Sequence, residues 1–308
     1  MDMALTIFYQ LIKLLGVGMV GWLLTKTGKI TDEKTLSGYL ANAALPALML
    51  HSLQIPFSLS LLKDIGLAAA GHIAIFAAGT AVGVLLGRLA RQSKGVTGTW
   101  TACLILPNSI YMGMPVMLAL YGNQALPLAA GIIVSFNLAS FLYGAWLLSL
   151  SSAQKKQASL KKLLLQPVIL SVFAGIILFV SPFRLPSPAA GFLEMMGVTA
   201  TPVAMLIIGS QLAKGGSLRD TFLDGKVYLV SLARLVPAGI AAHFIMRIFI
   251  TDPLILGVLT ICAFMPGAAI LAVIATEQGG DALFCARMTF LSTLMCVVTA
   301  PIMLALLL

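Results

Sequence analysis

Two short runs, one in each half of the chain, combine residue types that bear on chemistry. The first is Leu106-Pro107-Asn108-Ser109-Ile110-Tyr111-Met112-Gly113-Met114-Pro115, and the second is Met265-Pro266-Gly267-Ala268. The approaches match as well, with Thr101-x-Cys103-x-x-x-Pro107 set against Thr260-x-Cys262-x-x-x-Pro266. Proline removes a backbone donor and clashes with the carbonyl four residues back, so each run interrupts a helix. A half-helix that restarts after the break has its first N–H groups unpaired and the positive end of its dipole exposed, which favours an anion. Asn108 follows the first proline, where its amide would cap the half-helix or donate to a carboxylate. Gly113 and Gly267 would let backbone approach backbone or ligand. The chemistry is recognition of a small anion, with no bond made or broken. Interrupted apolar helices in corresponding positions are the best sequence pointer to a carrier's site.

Each residue also has a plainer reading. Taken singly, Pro107, Pro115 and Pro266 would be kinks, and Asn108 would be interhelical packing glue. Their paired positions favour the site. Tyr111 would line a cavity or sit as an interface aromatic, and Asn137, beyond Ser135, would tie helices together or face the same cavity. His51 and His72 lie in or beside apolar spans, where a histidine would relay protons or be a satisfied structural residue, and Arg234 would serve an anion or ion coupling, or snorkel to an interface. Arg234 has no acidic residue in its own span, whereas Arg287 has Asp281 and Glu277 near its helix end. Lys13 would snorkel or face a cavity. Gly79-x-x-x-Gly83-x-x-x-Gly87 is a close-packing stripe. Cys103, Cys262, Cys285 and Cys296 lack metal-type spacing and read as buried small apolar residues. There is no Gly-x-Ser-x-Gly elbow, His-Glu-x-x-His pair or phosphate-cradling loop, so neither an enzyme, a metal centre nor a cofactor is indicated.

These residues must be positioned by membrane helices. The chain is 60% hydrophobic and 9% charged, against roughly 25% charged in soluble domains. Its 308 residues accommodate about ten spans of roughly 20 residues each, with short loops. The spans are read at 4–24, 35–53, 64–90, 98–121, 124–149, 163–181, 188–212, 225–249, 253–276 and 282–307. The first does not read as a cleaved signal peptide, since Asp2 replaces the usual basic cluster. The net charge of +9 records orientation and not a nucleic-acid patch. Lys26, Lys29, Arg88, Arg91, Lys155, Lys156, Lys161, Lys162, Lys214 and Lys226 fall in or beside alternate loops, which places both termini outside the cytoplasm.

An internal repeat aligns Ala44-Leu45-Pro46-x-x-Met49-Leu50 with Ala200-Thr201-Pro202-x-x-Met205-Leu206, and Arg88 with Arg247. It also aligns Gly122-x-x-Ala125-Leu126 with Gly279-x-x-Ala282-Leu283, and Ser135 with Ser292. Five spans per half force the copies into opposite orientations. The fold expected is an all-α integral membrane protein of ten transmembrane helices, in two inverted five-helix repeats whose fourth and ninth helices are broken and cross. The first repeat covers 1–150 and the second 163–308, joined by a cytoplasmic linker at 151–162.

At the breaks the chain resembles the auxin efflux carrier family, which includes plant auxin carriers and bacterial dicarboxylate carriers. That family has Pro-Asn-Thr-x-x-Met-Gly-Ile-Pro-Leu followed by Tyr-Gly. Here the run is Pro107-Asn108-Ser109-Ile110-Tyr111-Met112-Gly113-Met114-Pro115-Val116, then Tyr121-Gly122. Gly28-Lys29-Ile30, Gln166-Pro167 and Ile208-Gly209-x-x-Leu212 also look like the family. The resemblance implies an elevator carrier, with spans 1, 2, 6 and 7 as scaffold and dimer contact and spans 3–5 and 8–10 mobile. It implies a homodimer in a bacterial inner membrane, and Asn108 on the substrate carboxylate. One departure is Pro266-Gly267-Ala268 where the family often has Pro-Gln-Gly, so selectivity for indole-acetate does not carry over. The expected cargo is an organic anion, auxin-like or another mono- or dicarboxylate. A negative-inside potential, at about 2.3 kcal/mol per charge per 100 mV, favours its exit. A sodium-coupled bile-acid-type or malonate-type importer, and a non-transporting sensor or channel, are the alternatives.

Overall fold

The computed structural model describes residues 3–54, 56–151, 165, 167–214 and 218–308. These are helical almost throughout, and no β-strand is present among them. α1 is Met3–Lys26. α2 runs from Glu33–Tyr39 through a wide π-type turn at Leu40–Ala44 into Leu45–Ser52. α3 is Leu59–Leu89. α4 is split into α4a (Lys94–Ile105) and α4b, which opens on a wide turn at Ser109–Gly113 and continues as Met114–Tyr121. α5 comprises Leu126–Leu138, Ala139–Gly144 and Ala145–Ser149, and α6 is Pro167–Val180. α7 joins Ser187–Gly197 to Ala200–Lys214. α8 joins Gly225–Leu235 to Pro237–Arg247. α9 is split into α9a (Pro253–Ala263) and α9b (Ile270–Gln278), and α10 is Ala282–Leu307. The linker read above at 151–162 lies outside the described residues apart from Ser151, as does the start of the sixth span before Pro167 apart from Leu165.

Side chains set these boundaries. Ser58, Ser93, Asp224, Asp252 and Asp281 each accept a first-turn backbone N–H and cap α3, α4a, α8, α9a and α10. Three chain reversals use a left-handed glycine after a helix: Gly28 (φ 71°), Gly122 (φ 61°) and Gly279 (φ 71°). Gly122 and Gly279 are the repeat-related pair. The apolar run Ser109–Ser149 is 41 residues long, about 62 Å as one helix and twice a bilayer core, so it has to reverse at Gly122.

Five described helical runs are long and apolar enough to cross a membrane: Leu59–Leu89, Ser109–Ser149, Ser187–Ser210, Gly225–Arg247 and Ala282–Leu307. Pro167–Val180 and Pro253–Ala263 are shorter and also apolar. The outer surface is greasy, with Ile248 82%, Leu306 74% and Leu89 72% exposed. In water such a surface would aggregate, and in lipid it costs nothing.

Small residues let the helices touch. A Cβ on Gly79, Gly83 or Gly87 of α3 would strike Leu104, Thr101 or Thr97 of α4a, so the glycine stripe is a helix seam. A Cβ on Gly131 would meet the Ile65 carbonyl, which seats α5 on α3. Gly21 and Gly209 likewise bring α1 against α7, where Thr25 Oγ1 donates to Ser210 Oγ at 2.8 Å. Gly175 of α6 abuts Leu53 and Met49, Gly197 of α7 abuts Leu48, and Tyr39 bonds Thr199 at 2.7 Å. Thus α1, α2, α6 and α7 share one set of contacts. Lys13 is exposed on α1, as snorkelling requires, and the four cysteines are buried free thiols.

Candidate functional site

The two breaks meet. Leu106 leaves the helix at φ −106°, ψ 86°, and helical geometry returns at Ser109. Phe264 ends α9a at φ −100°, ψ 8°, and α9b begins at Ile270. Between them, Pro107 and Gly267 lie opposite each other as an antiparallel bridge. Asn108 N–H donates to the Pro266 carbonyl at 2.7 Å, and Ala268 N–H to the Leu106 carbonyl at 2.8 Å. Gly267 N–H donates to Ser292 Oγ at 3.1 Å. Freed backbone groups in hydrocarbon cost several kcal/mol each unless the protein satisfies them. Here each break satisfies the other.

Asn108 does not cap α4b, contrary to one of its expected uses. Its backbone carbonyl does the work of the turn, accepting from Met112 (3.2 Å) and Gly113 (3.0 Å). The side chain lines a cavity of about 220 Å³ and is 2% exposed. The cavity is walled by Asn42 and Leu45 of α2, Ile110 and Tyr111 of α4b, and Phe136 and Asn137 of α5. Pro167 and Val168 of α6 complete it, with Ala268 and Ile270 at the start of α9b. The opening residues of both half-helices therefore border one space. The Asn42 amide donates to the Gly38 carbonyl and the Asn137 amide to the Ile133 carbonyl, each at 2.8 Å. The Asn108 amide nitrogen has no partner. No charged side chain is among the lining residues.

Of the other predicted residues, Tyr111 and Asn137 border the cavity, while Pro107, Pro266 and Gly267 form the bridge beneath it. A Cβ on Gly113 would lie 3.3 Å from Met265 Cγ, so this glycine packs one break against the other. His51 is half-buried in α2 and does not border the cavity. Arg234 is also outside the lining, with its guanidinium donating to the Ala263 carbonyl at 3.0 Å. Asp281 serves as the cap of α10.

His72 holds the first break from below. Its Nδ1 is 3.0 Å from Ser135 Oγ and its Nε2 is 3.0 Å from Ser109 Oγ. Ser135 Oγ–H is directed to the Gly131 and Ile132 carbonyls, both at 2.9 Å. Ser135 has one proton, so it accepts from His72 Nδ1–H, and in the neutral ring Nε2 would accept from Ser109 O–H. The imidazole thus pins the residue next to Asn108. Sequence reading placed Ser135 and Ser292 at corresponding positions without a role. In space each supports its own break, Ser292 directly on Gly267 N–H and Ser135 through His72. Phe136 and Val168 gave no signal in the sequence, since nothing local marks an apolar residue as facing a cavity; Leu45 read only as part of the repeat, and the polar Asn42 was not singled out.

Comparison with known proteins fits this geometry. An uncharacterized transporter of Methanothermobacter thermautotrophicus is 26% identical over 290 residues, which cover 92% of this chain and 93% of that protein. A family model described as a membrane transport protein matches residues 6–304, nearly the whole length and both breaks. The chain therefore belongs to the membrane transport protein family, that of the auxin efflux carriers.

Proposed function

We propose that this protein is a carrier of small organic monocarboxylates, working by alternating access of an elevator type. The single observation that carries the proposal is the unpartnered Asn108 amide. A buried donor left without a partner costs about 1–3 kcal/mol, and here it borders a cavity opened by two half-helix starts. A carboxylate would take that donor and lie against the positive helix ends. The rest of the wall is Leu45, Ile110, Phe136, Val168 and Ile270, which suits an apolar body and leaves a second carboxylate with no charged partner. The volume of 220 Å³ falls below the roughly 300–1,000 Å³ of drug-sized sites, so the acid is small.

In this reading the chain spans the membrane ten times as two inverted repeats, 1–150 and 163–308, in the inner membrane of a bacterium, with both termini outside the cytoplasm. Three features support the repeat: the matched left-handed Gly122 and Gly279, the matched caps Ser93 and Asp252, and the mutual pairing of the breaks. Spans 1, 2, 6 and 7 act as the static scaffold of a homodimer, and their shared contacts support that grouping. The remaining spans carry the crossover past the wall formed by Asn42, Leu45, Pro167 and Val168. The membrane potential drives efflux.

The test is current from proteoliposomes on a supported membrane, challenged with aromatic and aliphatic monocarboxylates, malonate and a neutral amide analogue. A saturable current that requires one carboxylate and disappears in Asn108→Ala is expected. A parent that responds equally to the amide, or a mutant equal to the parent, would sink the assignment. A non-saturating response would make the protein a channel.

A further inference from the structure

Arg234 is the largest polar side chain held wholly inside the protein, at 0% exposure. It sits in α8 where the helix is about to break, with Val236 at φ −119°, ψ −77° before Pro237. Its Nη2 donates to the carbonyls of Ala263 (3.0 Å) and Cys262 (3.4 Å), while Nε and Nη1 have no partner. Among the described residues no carboxylate meets it. The next carbonyl, that of Phe264, accepts from Cys296 Sγ at 3.7 Å, and the Phe264 ring lies against Gly239 of α8.

A buried charge without a counter-ion is expensive, and it persists where the local potential is of opposite sign. The carbonyls that Arg234 grips form the C-terminal end of α9a, which carries the equivalent of about half a negative charge. In carriers with discontinuous helices, such carbonyl ends are where coupling cations bind. Here the protein fills that position with its own guanidinium. Among the described residues of the first half there is no such cation. The register that aligns Arg88 with Arg247 aligns Arg234 with Ile75 and Ser231 with His72. Two residues beyond the α4a carbonyls that correspond to those of Cys262 and Ala263, the Leu106 carbonyl is taken by Ala268 N–H.

Resting on the carrier reading above, we propose that Arg234 is the resident cation of the crossover. It occupies from within the protein the carbonyl site where a coupled monovalent cation would bind. The anionic cargo is then balanced without sodium, and removing the guanidinium opens a monovalent-cation site at the end of α9a. Arg234 does not border the cavity, so it acts through the backbone of the second break as a positioning residue and counter-charge, without touching cargo.

The experiment is a thermal-unfolding titration of the purified full chain in detergent, with sodium, guanidinium or choline chloride at matched ionic strength. The parent should melt at the same temperature in all three salts at low millimolar concentration. Arg234→Ala should melt lower, with a saturable recovery in guanidinium, a smaller one in sodium and none in choline. Arg234→Met, which fills the space with an apolar chain, should melt lower and respond to none of them. A parent stabilised by sodium over choline, or an Arg234→Ala protein indifferent to guanidinium and sodium alike, would overturn the inference. If Arg234→Ala does not survive extraction, the neutral Arg234→Gln variant takes its place in the same titration. Carboxylate binding by the parent is measured alongside. Binding that requires sodium overturns the inference and leaves the cavity assignment standing. No binding in any salt removes the cargo reading, while the cation response of Arg234→Ala still decides the role of the guanidinium.

Discussion

Replacing Asn108 with alanine should make the empty protein more stable and the loaded one less so. The Asn108 amide nitrogen is buried without a partner, at a cost of about 1–3 kcal/mol. Alanine keeps the Cβ and removes only the polar amide, so no apolar packing is given up. A net gain of about 1 kcal/mol is expected, which raises the melting temperature by about 2 °C. Loss of a hydrogen bond to a charged carboxylate, about 1.5–3 kcal/mol, should weaken binding by about 10- to 150-fold. At ligand one hundred times the parent's Kd, the parent gains about 2.7 kcal/mol, and a variant one hundredfold weaker gains only about 0.4. The two melting curves should therefore change order as ligand is added. The assay is thermal unfolding of parent and Asn108→Ala across a titration of the best carboxylate. A variant less stable than the parent without ligand would show that Asn108 is structural glue. A variant that keeps the full ligand-induced shift would show that the carboxylate binds elsewhere.

Further expectations concern the supports of the crossover. His72→Phe should lower stability by about 1–3 kcal/mol through loss of its buried bonds to Ser109 and Ser135. A double-mutant cycle with Ser109→Ala should return a coupling of about 1 kcal/mol by thermal unfolding, and strict additivity would refute the bond. Gly83→Val should cripple expression or melting because its Cβ meets the Thr101 backbone. Gly66→Ala in the same helix, where nothing lies within 4 Å, should gain up to about 1 kcal/mol. Equal effects at the two positions would dismiss the seam. Tyr111→Trp should fill part of the 220 Å³ cavity and bias competition assays toward shorter acids. An unchanged size preference would place cargo away from Tyr111.

The breaks were legible because proline is punctuation that survives any context, and the shared Thr-x-Cys-x-x-x-Pro approach tied Pro107 to Pro266 without a structure. The glycine seam of α3 was legible for a related reason, since spacing alone puts Gly79, Gly83 and Gly87 on one face. Of the two uses read for Asn108, capping is absent. Capping is a local rule, and the local rule lost to a cavity built by α2, α5 and α6, which are distant in sequence. The partners of His72, Ser109 and Ser135, are remote in the chain, and nothing local to His72 named them. The contact of Arg234 with the end of α9a was likewise hidden, because carbonyl groups leave no mark in a sequence.

The mutual pairing of the breaks has a consequence for how the protein is made. The N–H of Asn108 and the carbonyl of Leu106 are completed by Pro266 and Ala268, which belong to the other half of the chain. During synthesis the first half enters the membrane before those partners exist. Its fourth helix must then wait with open backbone groups, sheltered by the translocation machinery, by water or by a temporary helical continuation. A chain cut short after α5 would carry this unfinished edge permanently. Two halves supplied as separate polypeptides would each carry the missing part of the other.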